Sequence, residues 1–302
     1  PKAVGEMEPW LRQHAKDIID RVAARGECEF VEEVAAELPL MAILEILGVP
    51  QKDRKQFFSW TNIMAFADDP DIATSLEEAQ AASFEVIAYA MALAAEQRKN
   101  PTSTAVQALL NGEVEGEKMS EELFAWMFIL IMVGGNESTR TAIAHGMRLL
   151  MENPDQLQHL VDHPEDISQA VEEMLRYNTA FIAMRRTATQ DVEWNGHNIK
   201  KGDKVILHYH AVNHDEDAFG DDAMVFDIHR HKRIPNLRGE IRSFGVGEHF
   251  CLGMSLARLE MNIMFEEIIP RLRNAKLAGD TTYMRSYFIN TIKAMPITFD
   301  PQ

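Results

Sequence analysis

The sequence predicts a mainly α-helical fold with small β-sheets, and three observations lead to that prediction. Apolar residues recur at helical spacing through the first half of the chain, for example from Leu76 to about Gln97. Short β-like runs between residues 187 and 205 are separated by turn signals at Asn195-Gly196 and Lys201-Gly202. No repeat, low-complexity tract or linker interrupts the pattern, so residues 1–302 are predicted to form a single domain.

The longest predicted helix begins after Ser120, whose hydroxyl is a good helix cap and is followed by acidic residues. The helical pattern continues to Met151 and ends at Asn153-Pro154, which is roughly thirty residues and long for a globular protein. The other predicted elements are, in chain order, helices around Trp10 to Val22, from Val31 to Leu47 and from about Pro164 to Tyr177, an irregular segment from His214 to Arg242, a last helix from Leu252 to Leu272 and a β-like tail from Tyr283 to Phe299.

The composition favours a soluble globular protein and argues against nucleic-acid and membrane partners. The chain is 46% hydrophobic and 25% charged, and its net charge of -17 leaves little basic surface for phosphates. Its two cysteines do not make a disulfide framework, which indicates a reducing compartment such as the cytoplasm. The longest apolar run, Leu123 to Val133, is shorter than the ~18 residues of a membrane helix and is predicted to be buried.

A glycine-rich loop at residues 244–253, FGVGEHFCLG, is the most informative segment of the chain. Its alternate glycines permit a tight backbone path that delivers Cys251 to the last predicted helix, whose apolar face starts at Leu252. A helix N-terminus favours a thiolate, and a thiolate can ligate a metal. A tetrahedral zinc site needs more cysteines, and Cys28 is distant in sequence, whereas haem iron needs one protein thiolate. The alternative is a buried structural cysteine beside a glycine turn.

This loop resembles the haem-binding loop of the cytochrome P450 family, whose pattern is Phe-Gly-x-Gly-x-His-x-Cys-x-Gly. Every defined position is matched, by Phe244, Gly245, Gly247, His249, Cys251 and Gly253. The resemblance, which is to soluble bacterial members, implies the cytochrome P450 fold and haem b (iron protoporphyrin IX) as the cofactor. It implies that Cys251 is the axial ligand of the haem iron and that His249 approaches a haem propionate. It covers the C-terminal three quarters or so of the family fold, so the N-terminal part is expected to be missing.

A second match lies inside the longest predicted helix. Adjacent Gly134 and Gly135 each cost a helix interior roughly 1 kcal/mol relative to alanine, and Glu137 and Ser138 follow. From the residues alone, a helix kink with a solvated polar face is the favoured explanation. The segment resembles the family's oxygen-activation motif, which implies that the glycines lie at the haem, that Glu137 relays protons and that Ser138 hydrogen-bonds the bound dioxygen. The family usually has threonine in place of Ser138, and serine lacks the methyl group that restricts the hydroxyl.

Glu173 and Arg176 share a helix face, because residues three apart are neighbours on a helix. Such pairs are common on exposed helices, but this one resembles the Glu-x-x-Arg helix of the same family. The resemblance implies a buried, structural triad with Arg230 from the irregular segment. It also implies that Arg186 binds a haem propionate through its guanidinium, with Arg185 as a competing choice and an ordinary surface arginine as the alternative.

The resemblance further implies a substrate cavity lined by apolar side chains from three parts of the chain. The predicted lining residues are Met132, Val133, Phe181, Ile182, Ala183, Phe288 and Ile289. An apolar pocket selects a hydrophobic small molecule, such as a terpenoid, a steroid or a fatty acid. Each of these side chains fits a core position equally well.

The electron donor is expected to be a separate protein, because the chain carries no flavin or nicotinamide motif. Arg238, Arg242 and Arg258 flank the cysteine loop and predict a basic patch that would steer an acidic ferredoxin, itself served by a reductase. The leading hypothesis is a monomeric haem-thiolate monooxygenase that hydroxylates a hydrophobic substrate with O2 and two electrons. The alternatives are a peroxide-using hydroxylase, a class that usually replaces the acid and hydroxyl of Glu137 and Ser138, and a non-catalytic haem-binding or sensor protein.

Overall fold

The structure is a computed structural model that describes residues 2–67, 69–72, 75–114 and 116–302, and it is mainly helical with small sheets, as predicted. The helices are α1 (Lys2–Glu6), α2 (Glu8–Ala23), α3 (Glu37–Ile46), α4 (Arg54–Ala65), α5 (Leu76–Lys99), α6 (Thr104–Leu110), α7 (Glu121–Glu152), α8 (Pro154–Asp162), α9 (Ile167–Tyr177), α10 (Tyr209–Val212), α11 (Glu216–Phe219), α12 (Leu237–Glu240) and α13 (Met254–Arg271). A π-helical turn, Val31–Ala35, precedes α3, so the single helix predicted there is two segments.

The strands are short and pair antiparallel. They are β1 (Glu27–Glu29), β2 (Glu113–Val114), β3 (Glu117–Lys118), β4 (Met184–Thr187), β5 (Val192–Trp194), β6 (His197–Ile199), β7 (Lys204–Leu207), β8 (Lys276–Leu277), β9 (Thr282–Tyr283), β10 (Ile292–Ala294) and β11 (Pro296–Thr298). One sheet has the order β1-β11-β8, and β2–β3, β4–β7, β5–β6 and β9–β10 form pairs. Asn195 and Gly196 join β5 to β6 with φ of 49° and 77°, which is the hairpin turn that the Asn-Gly signal predicts.

The chain folds as two compact units. Unit 1 holds the described residues of Pro1–Ala144, Ser255–Ser286 and Thr291–Gln302, and unit 2 holds His145–Met254 and Tyr287–Asn290. Helices α7 and α13 contribute residues to both units. That the two units make up one domain stays a prediction.

One apolar core cluster of unit 1 lies between α3, α4, α5, α6 and α7. Phe57 of α4 is fully buried there, and its ring packs edge-to-face against Trp60 and Tyr89, with centroids 5.1 and 5.0 Å apart. Buried aromatic rings of this size dominate core energetics, so this cluster fixes α4 against α5.

Helix α7 begins where its sequence predicts. The hydroxyl of Ser120 accepts a hydrogen bond from the Leu123 backbone N–H at 3.1 Å, which caps the first turn. Phe124, Phe128 and Met132 follow at intervals of four residues and are all fully buried, because residues at this spacing lie on one helix face. This face anchors the first half of α7 in the unit 1 core.

Unit 2 is organised around α9, whose residues 170–176 are all buried. Side-chain amides hold the irregular segment in place. Gln156 of α8 donates from its amide to the Phe226 carbonyl and accepts from the Ile228 N–H, both at 2.9 Å. Asn213 accepts from the Arg242 N–H at 2.7 Å. These bonds supply the backbone partners that a helix or sheet would otherwise provide.

The last helix begins later than predicted. Helix α13 starts at Met254, so Leu252 lies in the turn before it and is 92% exposed. The prediction that Leu252 belongs to the buried face was wrong, because a side chain in that turn does not follow the helical periodicity. Among the described residues, we find no helix with both the length and the apolarity that crossing a bilayer requires.

Candidate functional site

The cysteine loop of unit 2, residues 244–253, is a tight turn that holds the half-buried Cys251. Gly245 and Gly247 have φ of 74° and 72°, a region that side chains disfavour. The Cys251 N–H donates to the Phe244 carbonyl at 2.9 Å, which closes the loop. A Cβ at Gly245 would also lie 3.2 Å from the Tyr209 hydroxyl oxygen. The loop geometry therefore requires the glycines that the motif places there.

The two cysteines differ in their fitness as metal ligands. Cys28 lies in β1 opposite Ile297 and is 7% exposed. Burial raises the pKa of the Cys28 thiol to about 12, so this side chain stays protonated at neutral pH. A thiolate is the form that ligates metals, which leaves the half-buried Cys251 as the better candidate.

The surroundings of Cys251 within unit 2 suit a flat apolar cofactor. Val246, Phe250 and Leu252 are 53%, 47% and 92% exposed, so three apolar side chains of one short loop face outward. A cluster of exposed apolar side chains commonly marks a ligand-binding surface. A Cβ at Gly253 would lie 3.9 Å from Cys251 Sγ and would narrow the room beside the sulfur. The residues present therefore fit a haem that is ligated by Cys251.

The two residues predicted to bind haem propionates also lie in unit 2. Arg186 is half-buried in β4 opposite Val205 of β7, whereas Arg185 is exposed, since successive residues of a strand face opposite sides. The Arg186 guanidinium donates to the Arg185 carbonyl at 3.0 Å. His249 is exposed at the end of a 3₁₀ turn, Gly247–His249. The propionate contacts of Arg186 and His249 stay predictions.

The glycine pair of α7 lies in unit 1, and its two members have different surroundings. A Cβ at Gly135 would lie 2.6 Å from Cδ1 of Ile43 in α3, so close helix packing explains this glycine. A Cβ at Gly134 would meet no described atom within 4 Å. Trp126 and Leu130, two turns and one turn before Gly134, are 53% and 64% exposed. Trp126, Leu130 and Gly134 thus form an exposed row along one face of α7, which we call the uncovered row. Packing within unit 1 does not explain a glycine at position 134.

Alanine at the two glycines should change stability in different directions. Gly134→Ala is expected to raise the free energy of unfolding by up to ~1 kcal/mol, because alanine favours a helix and the site is open. Gly135→Ala has the same propensity gain but forces a Cβ against Ile43, and such overpacking costs about 1–3 kcal/mol. Urea unfolding of both variants measures the difference, and equal stabilities would contradict the packing of α7 on α3.

Ser138 lies one turn after Gly134 and is half-buried. Its hydroxyl donates to the Gly134 carbonyl at 2.7 Å, within the helix itself. A serine that bonds its own helix in this way needs only a χ1 rotation to present the hydroxyl elsewhere. The hydroxyl therefore lies at the end of the uncovered row of α7.

Glu137, the acid of the motif, lies in a buried ion pair rather than on a solvated face. Its carboxylate contacts the guanidinium of Arg140, and the two side chains are 0% and 2% exposed. Asn136 donates to Glu137 Oε1 at 2.9 Å, and Arg140 donates to Asn62 Oδ1 of α4 at 2.9 Å. The interpretation of this segment as a solvated polar face was wrong, because α7 turns these residues into unit 1. Burial raises the pKa of the Glu137 carboxyl, although Arg140 opposes the shift.

The sequence analysis did not predict that Arg140 pairs with Glu137 in the interior of unit 1. A signal for it exists, because Glu137 and Arg140 have the same i, i+3 spacing as Glu173 and Arg176. No local pattern indicates the contribution of Asn62, which lies 78 residues away in sequence.

The structure brings Glu173, Arg176 and Arg230 together in unit 2, with each side chain 0% exposed. Arg176 donates to both Glu173 carboxylate oxygens, at 2.7 and 2.8 Å, and Arg230 donates to Oε1 at 3.1 Å. Most other guanidinium N–H groups bond to backbone carbonyls between residues 213 and 225, among them those of Asn213 and Ala223, at 2.7 and 2.8 Å, and Arg230 also pairs with the Asp222 carboxylate at 2.9 Å. Two arginines and one carboxylate therefore hold α9 and this segment as one piece.

The predicted pocket residues fall into two groups. In unit 2 the Phe181 and Phe288 rings lie 4.9 Å apart, and the Ile182 N–H donates to the Phe288 carbonyl at 2.9 Å. Ile289 forms a β-bridge with Phe181 and is 2% exposed, while Ile182 and Ala183 are half-buried. In unit 1 Met132 is fully buried in the apolar core, and Val133 is half-buried beside it.

One of the three arginines predicted to form a basic patch beside the cysteine loop, Arg258, does not lie on the surface. Arg258 is 5% exposed in α13, so it is a core residue, and the prediction that it lies on the surface was wrong. Leu256 and Glu260, two residues to either side of it in α13, are also buried. Arg238 is 64% exposed in its side chain, and Arg242 donates to the Gly239 and Glu240 carbonyls at 2.7 and 2.6 Å.

Comparisons with known proteins show which family this chain resembles. The family model described as Cytochrome P450 matches residues 167–284, which include the Glu173 helix and the cysteine loop. A steroid C26-monooxygenase of Mycolicibacterium smegmatis is 39% identical over 300 residues, which are 99% of this chain and 68% of that protein. A methyl-branched lipid omega-hydroxylase of Mycobacterium tuberculosis is 36% identical over 303 residues, covering 99% of this chain and 69% of that protein.

A solved cytochrome P450 of Mycobacterium marinum, in complex with pseudoionone, is similar with a TM-score of 0.91 and 33% identity, over 99% of this chain and 72% of that one. This chain spans 61% to 69% of the length of the curated relatives it matches. Sequence identity, coverage and fold agree, so the chain belongs to the cytochrome P450 family of haem-dependent monooxygenases.

Proposed function

We propose that this chain binds haem b through the Cys251 thiolate and hydroxylates a steroid or a methyl-branched lipid with O2. The observation that carries the proposal is the cysteine loop, where glycines with positive φ hold a half-buried Cys251 among exposed apolar side chains. The substrate class follows from the names of the relatives, a steroid monooxygenase and a methyl-branched lipid hydroxylase. The aromatic pair Phe181 and Phe288 suits an apolar substrate of this kind.

When bound, haem supplies the oxygen-activating chemistry, and Cys251 supplies the thiolate that ligates the iron. We expect Arg186 and His249 to bind the propionates, because a guanidinium pairs well with a carboxylate and His249 is exposed on the same loop as Cys251. Glu173, Arg176 and Arg230 would not touch the cofactor. They would keep the irregular segment that leads to the loop in one conformation.

Glu137 and Ser138 are the proposed groups for proton delivery. Burial raises the pKa of the Glu137 carboxyl, which is the direction that favours a proton donor, although Arg140 opposes the shift. A general acid works best when its pKa approaches the working pH. Rotation about χ1 would break the hydrogen bond between the Ser138 hydroxyl and the Gly134 carbonyl, so that the hydroxyl could donate to another acceptor. Serine rotates about χ1 more freely than threonine, which is β-branched.

We further propose that a ferredoxin, kept reduced by its reductase, delivers the electrons to a cytoplasmic monomer. Arg238 of the predicted basic patch is exposed, although it lies 3.9 Å from Glu172, and it would help to steer an acidic donor. The presence of both Glu137 and Ser138 argues against the peroxide-using alternative, which usually lacks this acid and hydroxyl.

The direct test is turnover of a steroid and of a methyl-branched fatty acid by the haem-loaded chain. Ferredoxin, its reductase and O2 are expected to give a hydroxylated product, while peroxide alone gives little. Product with peroxide only would favour the peroxide-using alternative. If these lipids never shift the spin state of the iron and no product forms, the non-catalytic haem-binding or sensor alternative is favoured.

Replacing Ser138 separates proton delivery from simple packing. Ser138→Ala is expected to lower the fraction of electrons recovered in product by roughly 10²-fold, because the hydroxyl that passes the hydrogen bond is gone. Ser138→Thr should keep the coupling. Thr139→Ala is the matched control, since Thr139 also bonds the carbonyl four residues earlier, at 3.4 Å. Equal coupling in Ser138→Ala and Thr139→Ala would exclude a specific part for Ser138.

A further inference from the structure

Three potential metal ligands meet in unit 2, at the corner where α8 ends and α9 begins. His159 lies in the last turn of α8, Asp166 lies directly before α9, and His229 lies in the irregular segment. Each side chain is half-buried, and one ligand atom from each lies within 4.8 Å of the others. None of the three belongs to the cysteine loop, the α7 motif or the buried triad.

The spacing of these atoms suits a transition-metal ion. His159 Nε2 lies 2.8 Å from Asp166 Oδ2, and the rings of His159 and His229 are nearly perpendicular with centroids 4.5 Å apart. Ligands that bind zinc at ~2.0–2.1 Å in a tetrahedron lie about 3.4 Å from one another. The His159–Asp166 separation is shorter than this value and the other two are at most 4.8 Å, so small side-chain rotations would bring all three ligands to one ion.

We propose that His159, Asp166 and His229 bind one divalent transition-metal ion, of which Zn²⁺ is the best match, with water completing the shell. Two imidazoles and one carboxylate are donors that zinc accepts, whereas Ca²⁺ and Mg²⁺ prefer oxygen ligands alone.

The charges around the site predict a competitor for the metal. Lys232 Nζ lies 3.1 Å from His229 Nδ1, so this ammonium occupies one imidazole nitrogen and adds positive charge. The other neighbours are already engaged, since Arg233 pairs with Asp222 and Asp227, at 2.6 and 2.8 Å. His163 stacks on His159 with ring centroids 4.6 Å apart and pairs with Glu165 at 3.4 Å. Removing the Lys232 ammonium should therefore strengthen metal binding.

A bound ion would have a structural consequence. His229 directly precedes Arg230, which donates to Glu173 in the buried triad. An ion held by His159, Asp166 and His229 would tie the corner of α8 and α9 to the segment that carries Arg230. Any ligand that binds only the folded state raises stability, so Zn²⁺ should raise the melting temperature of the full chain.

Zinc titration of the full chain by calorimetry tests the site with no need for turnover. We expect one Zn²⁺ per chain, at least ~10-fold weaker binding in His229→Ala and in Asp166→Asn, and stronger binding in Lys232→Met. His197→Ala is the matched control, because His197 is exposed in the β6 hairpin and should leave the affinity unchanged.

The proposal is overturned if His229→Ala and Asp166→Asn bind zinc as tightly as the parent, or if Lys232→Met weakens binding. Circular dichroism without metal shows whether each variant is folded, and His159→Ala replaces any variant that is not. These outcomes are independent of haem binding, because the readout is the heat of zinc binding.

Discussion

Glu173→Ala is expected to destabilise the chain by about 3–5 kcal/mol, which for a marginally stable protein amounts to loss of the folded state at physiological temperature. Glu173 is 0% exposed and is the carboxylate that both Arg176 and Arg230 contact. Removing it leaves the buried Arg176 guanidinium with no counter-charge among the described residues, and leaves Arg230 with the half-exposed Asp222 alone. A buried charge deprived of its partner costs far more than the pair itself contributes.

The loss should exceed that from any exposed pair. Arg148 and Glu152 form an i, i+4 pair in α7, with side chains that are 17% and 45% exposed. Glu152→Ala is the matched control and is expected to cost at most ~1 kcal/mol, since water screens an exposed charge. Glu173→Gln should fall between the two, because the amide keeps a hydrogen-bond acceptor but loses the charge.

Urea unfolding, followed by circular dichroism, measures all three variants under the same conditions. A loss in Glu173→Ala no larger than that in Glu152→Ala would refute the claim that the triad holds unit 2 together.

Cys251→Ala is expected to abolish stable haem binding and, with it, all O2-dependent turnover. Alanine at position 251 should leave the backbone conformation of the loop unchanged, because the hydrogen bond that closes the loop is donated by the backbone N–H of residue 251 and not by its side chain. The loss should therefore come from the missing iron ligand and leave the fold intact. Haem content after removal of unbound cofactor, and product formation with ferredoxin, are the two measurements.

Cys28→Ala is the control for the removal of a thiol. Cys28 is buried in β1 and its pKa is about 12, so alanine there should lower stability without changing haem content. If Cys28→Ala lost haem while Cys251→Ala kept it, the assignment of the ligand would have to be reversed.

Local signals predict the elements that depend on neighbouring residues. The Ser120 cap and the Asn153-Pro154 stop define α7 to within about two residues. The Asn195-Gly196 turn predicts the β5–β6 hairpin, and the alternate glycines predict the tight cysteine loop. Each of these features is determined over a few residues by backbone sterics or by a cap, and such effects are visible in a sequence.

Burial of charged residues is where local reasoning fails. Arg140 depends on Asn62, and His159 meets His229 seventy residues later in the chain, so only tertiary contacts reveal either cluster. Glu260 of α13 is 1% exposed, and burial raises its pKa well above the usual value. Hydrophobic periodicity assigns charged residues to the solvent face, and these exceptions contradict it.

The central claim is that the Cys251 sulfur binds haem iron, and one spectrum tests it most directly. The haem-loaded chain is reduced, saturated with carbon monoxide and scanned in the visible range. Thiolate ligation predicts the long-wavelength Soret band that distinguishes haem-thiolate proteins from those with a histidine ligand. A Soret band at the position typical of a histidine-ligated haem, in a folded chain that retains its cofactor, would contradict the account.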